Sequence, residues 1–237
     1  MQVFLQTVVG GFSLGAIYAL VAMGFSLVYR TMGLVNFAHG NVLMIGAYVA
    51  STFYLTVKLP FVPAVATAIV VTGLIGLVIE RVLRPLENRD FDLMLIGTIG
   101  FGIVLEATAV LIWGATGRAV NNPVRGAPVV LLGARIRRYD LVVLAVTALA
   151  GGLAGPLLYV SPTMGGSLGI KGFAGAILGG FGSIPGAIAG GLAIGILDSF
   201  SAGHFQGYSD LVTFLVFTVL IMVRPTGIFG ERTVNRA

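Results

Sequence analysis

The chain of 237 residues is 57% hydrophobic and only 10% charged, with a formal net charge of +5. A soluble domain carries about 25% charged residues, so this composition excludes an ordinary soluble protein. A membrane-spanning helix needs about 20 apolar residues. Runs of at least that length without Asp, Glu, Lys or Arg cover residues 3–29, 31–57, 59–79, 141–170 and 172–197. We therefore predict an all-α protein, a polytopic transmembrane helical bundle.

The positive charge is better explained by basic loops beside a membrane than by a nucleic-acid partner. Cysteine is absent, which excludes a disulfide framework and a thiolate metal site, and no cluster of His and Asp has metal spacing. Two G-x-S-x-G matches lack the strand and helix that a nucleophile elbow needs, and no P-loop motif occurs. We expect no catalytic residue and no metal site in this chain.

Seven stretches are predicted to be helical, the sixth with an interruption. In chain order they cover about residues 5–29, 36–57, 61–80, 92–114, 139–160, 164–200 and 210–223. The loop after the third carries Arg81, Arg84 and Arg89, so the positive-inside rule places it in the cytoplasm. Counting spans then places the N-terminus and Lys58 outside.

The polar region 116–139 follows the fourth predicted helix, whose last residues include Trp113 as an expected interfacial aromatic. Alternation of the spans makes this region external, although its five arginines contradict the positive-inside rule. Within it, Val129 to Ile136 is predicted to pair as a short hairpin.

Glycine is concentrated in the second half of the chain, where 15 of the 35 glycines lie between Gly151 and Gly195. Glycines at four-residue spacing let helix backbones approach each other, and the same is expected of Gly11 and Gly15. The sequence Gly182-Ser183-Ile184-Pro185-Gly186 breaks the helical pattern, because proline removes a hydrogen bond and glycine loosens the backbone. We predict a Gly-rich interrupted or re-entrant segment near 165–190, within one transmembrane domain over 1–237.

The second predicted helix is unusual because it holds polar side chains within a run of 27 uncharged residues. In a bilayer such groups gather where helices meet or line a watery path. The candidates for a substrate path are Asn36, Phe37, His39, Asn41, Gly182 and Ser183. The alternative for Asn36 and Asn41 is a hydrogen bond to a helix end or another helix, and for His39 a neutral ring that bonds a neighbouring helix.

Few charged residues interrupt the apolar stretches. Glu106 is the one acid well inside a predicted span, which makes it a functional candidate by default; the alternative is a contact between subunits. Lys171 is expected to extend to the membrane surface rather than to bind an anion. Asp198, His204 and Asp210 flank a short loop and are expected to be solvated.

Four motifs resemble, in order, those of the LivH-type permease subunits of branched-chain amino-acid ABC importers. They are Met32 to Tyr48 around Asn36-Phe37-Ala38-His39-Gly40, Ile79 to Leu86, Lys171 to Ala187, and Arg224 to Gly230. The resemblance covers nearly the whole chain. It implies a multi-pass subunit of the bacterial inner membrane that forms half of the path for a small polar solute, such as a branched-chain amino acid or a related amide.

The resemblance also implies partners: a second related permease subunit, two cytoplasmic ATPases that bind ATP and Mg, a periplasmic substrate-binding protein and the lipid bilayer. The chain itself would hold no cofactor and catalyse no reaction. The alternative function is a stand-alone secondary carrier or channel, because interrupted hydrophobic segments also occur in secondary transporters.

One departure from the family concerns the cytoplasmic loop with a Thr-Arg…Gly-Arg-Ala pattern that docks on the ATPase. Residues 141–160 form one apolar stretch that does not contain this loop. The loop and most of a helix are therefore missing near Ala150 and Gly151. Either the chain is a shortened member, or residues are missing from this sequence. The second interpretation is favoured, because loss of the loop would remove this subunit's main route of coupling.

Overall fold

The computed structural model describes residues 2–32, 35–86, 91–118, 120, 129–131, 134–136, 160–205 and 207–229. Helices dominate these residues, which confirms the predicted all-α class. The helices are Gln2–Met32 (α1), His39–Leu55 (α2), Phe61–Leu83 (α3), Phe91–Trp113 (α4), Met164–Gly179 (α5), Ile184–His204 (α6) and Ser209–Val223 (α7), with a short 3₁₀ turn at Arg84–Leu86. Strands Val129–Leu131 (β1) and Ala134–Ile136 (β2) pair antiparallel, which confirms the predicted hairpin.

Four of the described helices are long and apolar enough to cross a membrane. These segments are Val3–Arg30, Phe61–Val82, Asp92–Trp113 and Ile184–His204, whereas α7 is apolar but shorter. On α3 and α4 most exposed positions are large apolar side chains, among them Leu74, Ile103 and Leu111. A helix that is apolar on its outer face as well suits a lipid environment. The chain is a multi-pass membrane protein.

The second helix begins later than predicted. Asn36 and Phe37 lie before α2, which starts at His39. The backbone turns at this point, and the N–H of His39 donates to the carbonyl of Asn36 at 3.2 Å. The helix predicted over 139–160 lies outside the described residues except for Val160, which forms a β-bridge with Arg118.

Backbone contacts divide the chain into two compact units. The first consists of Met1–Met32, Val124–Gly151 and Lys171–Ala237, and the second of Gly33–Pro123 and Gly152–Ile170. The first unit thus contains α1, α6, α7 and the second half of α5, and the second contains α2, α3, α4 and the first half of α5. The single domain predicted over 1–237 stays a prediction.

In the first unit α1 and α6 pack with their backbones in close contact. A Cβ added to Gly11 would lie 2.8 Å from the Cα of Ile196, and one added to Gly15 would lie 2.8 Å from the Cα of Leu192. Only glycine permits this approach, so the close packing predicted for Gly11 and Gly15 is confirmed. The opposite order of the pairs shows that the helices are antiparallel.

The glycine break is a connection of four residues, 180–183, between α5 and α6. Gly182 has a φ of +83°, a left-handed conformation that glycine adopts without strain. The hydroxyl oxygen of Ser183 accepts the N–H of Gly186 at 3.2 Å, which satisfies one of the free donors at the start of α6. Gly182 therefore shapes the turn between the two helices, and Ser183 caps the start of α6.

The segment after α7 packs against the end of α5. The N–H of Ile228 donates to the carbonyl of Leu178 at 2.7 Å, and that of Phe229 to the carbonyl of Gly179 at 3.0 Å. The last carbonyls of a helix lack hydrogen-bond donors within the helix. The segment after α7 provides donors for two of these carbonyls in α5. Two of the motifs found in the sequence are thus in direct contact with each other.

Candidate functional site

In the second unit α2 and α4 lie side by side and run parallel. The N–H of Phe37 donates to Oγ1 of Thr98 at 3.3 Å near the start, and Nε1 of Trp113 donates to Oγ1 of Thr52 at 2.7 Å near the end. Both pairs are 61 residues apart, so one register holds along both helices. Trp113 also stacks on Tyr48 with 4.9 Å between ring centroids, which fixes this end of α4 to α2.

The first three candidate residues of this region lie at the turn into α2. Asn36 is half-buried, and its Oδ1 accepts the N–H of Ala38 at 3.0 Å. This is the helix-end hydrogen bond that was the alternative for Asn36, and it closes a local turn. Phe37 is half-buried and held by Thr98, and His39 is the half-buried first residue of α2.

Asn41 is the most enclosed candidate, with 8% of its surface exposed. A Cβ added to Gly165 of α5 would overlap its Oδ1, and a Cβ added to Gly102 of α4 would lie 2.5 Å from its Nδ2. Its Oδ1 is buried and finds no hydrogen-bond donor among the described residues. The helix–helix hydrogen bond considered as the alternative for Asn41 stays a prediction, since its Oδ1 has none among the described residues.

Gly40, the residue before Asn41 in α2, makes a backbone contact with α5. A Cβ added to Gly40 would overlap the carbonyl of Gly165 and lie 2.8 Å from the Cα of Gly169. The segment Gly165–Gly169, one of the two G-x-S-x-G matches, thus packs against α2. It lies at the start of a helix, and the described residues directly before it, 160–163, form an isolated β-bridge and a turn rather than a strand.

The other two candidates, Gly182 and Ser183, belong to the first unit and shape the turn between α5 and α6. That they face the Asn36–Asn41 region stays a prediction.

A buried ion network in the first unit was missed in the sequence. Nζ of Lys171 donates to both carboxylate oxygens of Asp198, at 3.0 and 2.9 Å, and to Oδ1 of Asp210 at 2.9 Å. The hydroxyl of Tyr18 donates to Asp198 at 2.7 Å, and that of Thr213 at 3.4 Å. The network joins α1, α5, α6 and α7.

Two expectations are therefore wrong. Lys171 does not extend to a membrane surface and Asp198 is not solvated, since each is only 7% exposed. The two charges tolerate burial because they neutralise each other and their hydrogen-bonding groups are used. A signal was present in the sequence: these two residues of opposite charge are the ones that end the runs 141–170 and 172–197. His204 is exposed, as expected.

The apolar spanning helices pack against each other at glycines and enclose polar groups. These features define an integral membrane protein of the helical-bundle class. The family of branched-chain amino acid transport system permease components matches residues 7–132 and 127–223. The chain belongs to this family, and it is therefore a transport permease rather than an enzyme.

Relatives match along almost the whole chain. It is 31% identical to the high-affinity branched-chain amino acid transport system permease protein BraD of Pseudomonas aeruginosa, over 98% of each chain. It is 31% identical to the permease protein LivH of Escherichia coli K12, over 98% of this chain and 97% of LivH. A probable LivH of Methanocaldococcus jannaschii is 25% identical over 89% and 88% of the two chains. No solved structure gave a significant match.

The alignments with BraD and with LivH of Escherichia coli run over 300 and 304 positions, whereas the chain has 237 residues. Both relatives therefore contain residues without a counterpart here. The position of a missing segment near Ala150 and Gly151 stays a prediction, because these residues lie outside those described.

Proposed function

We propose that this chain forms half of the translocation path of an ATP-driven importer for a small polar solute, with branched-chain amino acids as the first candidates. Similarity over 98% of the chain to two permease proteins of high-affinity branched-chain amino acid transport carries the proposal. The chain pairs with a second related permease subunit in the bacterial inner membrane. Two cytoplasmic ATPases bind ATP and Mg, a periplasmic protein delivers the solute, and this chain holds no cofactor.

The packing of the helices suits such a role. Alternating access requires two arrangements of the same helices with similar free energies. In the second unit the α2–α5 contact is a backbone contact at glycine. Such surfaces carry few interlocking side chains, so sliding along them breaks few specific contacts.

Uptake by proteoliposomes tests the proposal. The chain, reconstituted with the second permease, both ATPases and solute-loaded binding protein, should accumulate labelled leucine only when Mg-ATP is supplied to the ATPases. Vesicles without the ATPases are the control and should accumulate none, even with a proton or sodium gradient. Transport by the chain alone, driven by an ion gradient, would instead establish a stand-alone carrier.

The solute class is tested in the same vesicles by competition. Unlabelled branched-chain amino acids should suppress leucine uptake, whereas urea, short amides and aromatic acids should not. Suppression by one of the latter group as well would widen the substrate class while leaving the ATP-driven function intact.

A further inference from the structure

One contact of the buried ion network differs from the others because one of its partners is exposed. The side chains of Lys171 and Asp198 are each 9% exposed, whereas that of Asp210 is 65% exposed. Asp198 is fixed by two further donors, the hydroxyls of Tyr18 and Thr213. Asp210 makes no hydrogen bond or ion pair in the described part of the chain besides its 2.9 Å contact with Lys171. It is therefore the replaceable partner of the buried ammonium.

This contact lies toward the end of the first unit at which a solute from outside would arrive. Asp210 is in the first turn of α7. Oγ of Ser199 on α6 donates to the carbonyl of Thr7 at 2.9 Å, so the part of α6 beside the network packs on the first turns of α1, whose start is predicted to be outside. Arg30 in the last turn of α1 and Arg224 directly after α7 mark the opposite end as cytoplasmic by the positive-inside rule.

We propose that Lys171 and Asp210 bind the two charged groups of a zwitterionic α-amino acid. When the Asp210 side chain rotates outward, the carboxylate of the solute takes its place on the Lys171 ammonium, and the ammonium of the solute donates to the displaced Asp210. One ion pair is thus exchanged for two. The ammonium of an α-amino acid is attached to the carbon next to the carboxylate, so Asp210 moves only a short way. The inference rests on the proposed transport function and adds the chemical groups recognised and the residues that recognise them.

The exchange leaves the buried part of the network intact. Lys171 keeps its contacts with both oxygens of Asp198, so no buried charge loses its partner. Rotation of Asp210 costs little, because an ion pair with an exposed partner contributes little stability. A solute with a carboxylate alone would leave Asp210 beside a like charge without a cation, and a solute with an ammonium alone would not use Lys171. The pair therefore selects zwitterions.

Binding to the permease–ATPase assembly in nanodiscs tests this site, with three solutes titrated by NMR. They are leucine, 4-methylpentanoate, which lacks the ammonium, and leucinamide, which lacks the carboxylate. The wild type should bind leucine at least about tenfold more tightly than either of the others. Equal affinity for leucine and 4-methylpentanoate would exclude the contact with Asp210, and equal affinity for leucine and leucinamide would exclude the contact with Lys171. Either result would overturn the proposal.

Asp210→Asn is the decisive variant, because this exposed side chain can be changed without loss of the fold. Leucine affinity should fall about tenfold, whereas 4-methylpentanoate should bind at least as tightly as to the wild type, since no carboxylate competes for Lys171. A purely structural role of Asp210 would weaken the binding of both solutes. That result, or an unchanged affinity for leucine, would contradict the proposal.

Asp92→Asn is the matched control. It makes the same carboxylate-to-amide change at another exposed residue in the first turn of a helix, and it should change none of the three affinities. Uptake by the proteoliposomes separates the two possible failures. An assembly that accumulates leucine with Mg-ATP but does not bind it as described would overturn this site alone. Absence of ATP-driven uptake, or transport by the chain without its ATPases, would overturn the proposed function.

Discussion

Lys171 shows how strongly one buried charge depends on its partners. Its ammonium contacts Asp198 through both carboxylate oxygens and Asp210 through one, and Asp198 also accepts from Tyr18 and Thr213. A buried ion pair adds little stability compared with an apolar pair of the same size, but removal of one partner leaves a charge without compensation. The network therefore acts by selecting one arrangement of α1, α5, α6 and α7.

Lys171→Met should destabilise the protein by about 3–5 kcal/mol, because Asp198 would remain buried without its cation. The double variant Lys171→Met/Asp198→Leu should recover most of this loss. Thermal unfolding in detergent, followed by size-exclusion fluorescence, measures both. Asp210→Asn is the control: its side chain is 65% exposed, so the change should be below about 1 kcal/mol. A double variant as unstable as the single one would contradict this account.

At the scale of helices, glycine decides which surfaces meet. Gly195 of α6 lies so close to Gly15 of α1 that an added Cβ would overlap its backbone, whereas a Cβ on Gly73 of α3 would find no atom within 4 Å. Glycine within a helix is less favourable than alanine by about 0.5–1 kcal/mol. At Gly195 the close packing of α1 and α6 offsets this loss of helix stability. At Gly73 no such packing offsets it.

Gly195→Val should therefore lower the stability of the protein by about 1–3 kcal/mol or more, since the added atoms force α1 and α6 apart. Gly73→Val makes the same change in open space and should leave the melting temperature unchanged or slightly raised. Melting temperatures and the yield of monodisperse protein in detergent give the comparison. Equal damage from the two substitutions would contradict this account, because a side chain at Gly73 meets no atom of another described helix.

At the scale of the whole molecule, the direction of each helix determines the side on which each loop emerges. In the second unit α2 runs parallel to α4, and it runs antiparallel to α3, since Gly46 contacts Thr72 while Tyr54 contacts Phe61. The connection after α2 and the segment after α4 thus share one side, and the end of α3 lies on the other. The basic residues after α3 favour the cytoplasm for that end.

Cysteine labelling tests this topology directly, because the chain contains no cysteine of its own. Lys58→Cys and Thr116→Cys should react with a membrane-impermeant maleimide in spheroplasts. Arg84→Cys should react only after the membrane is permeabilised. Labelling of residue 84 in intact spheroplasts, with 58 and 116 protected, would invert the topology and leave the family assignment unaffected.

Most helices were located from sequence because their signal is local. Runs of apolar residues predicted α3, α4 and α7 to within three residues at either end. The start of α2 was missed because the uncharged run continues through Asn36 and Phe37, where the Asn36 side chain accepts the N–H of Ala38 and closes a turn instead. Of the candidate site, the sequence indicated Asn41, but not that its amide oxygen finds no donor among the described residues.

The sequence by itself determined the membrane class, the permease family and the place of the glycine break, because span length and motif order are properties of contiguous residues. Only the tertiary structure decided which polar groups are satisfied. Asp198 pairs with Lys171 at a separation of 27 residues and with Tyr18 at 180, whereas Asn41 meets glycines of two other helices. In an apolar environment the partner of a polar side chain must come from another helix, and helix packing, rather than sequence distance, supplies or withholds it.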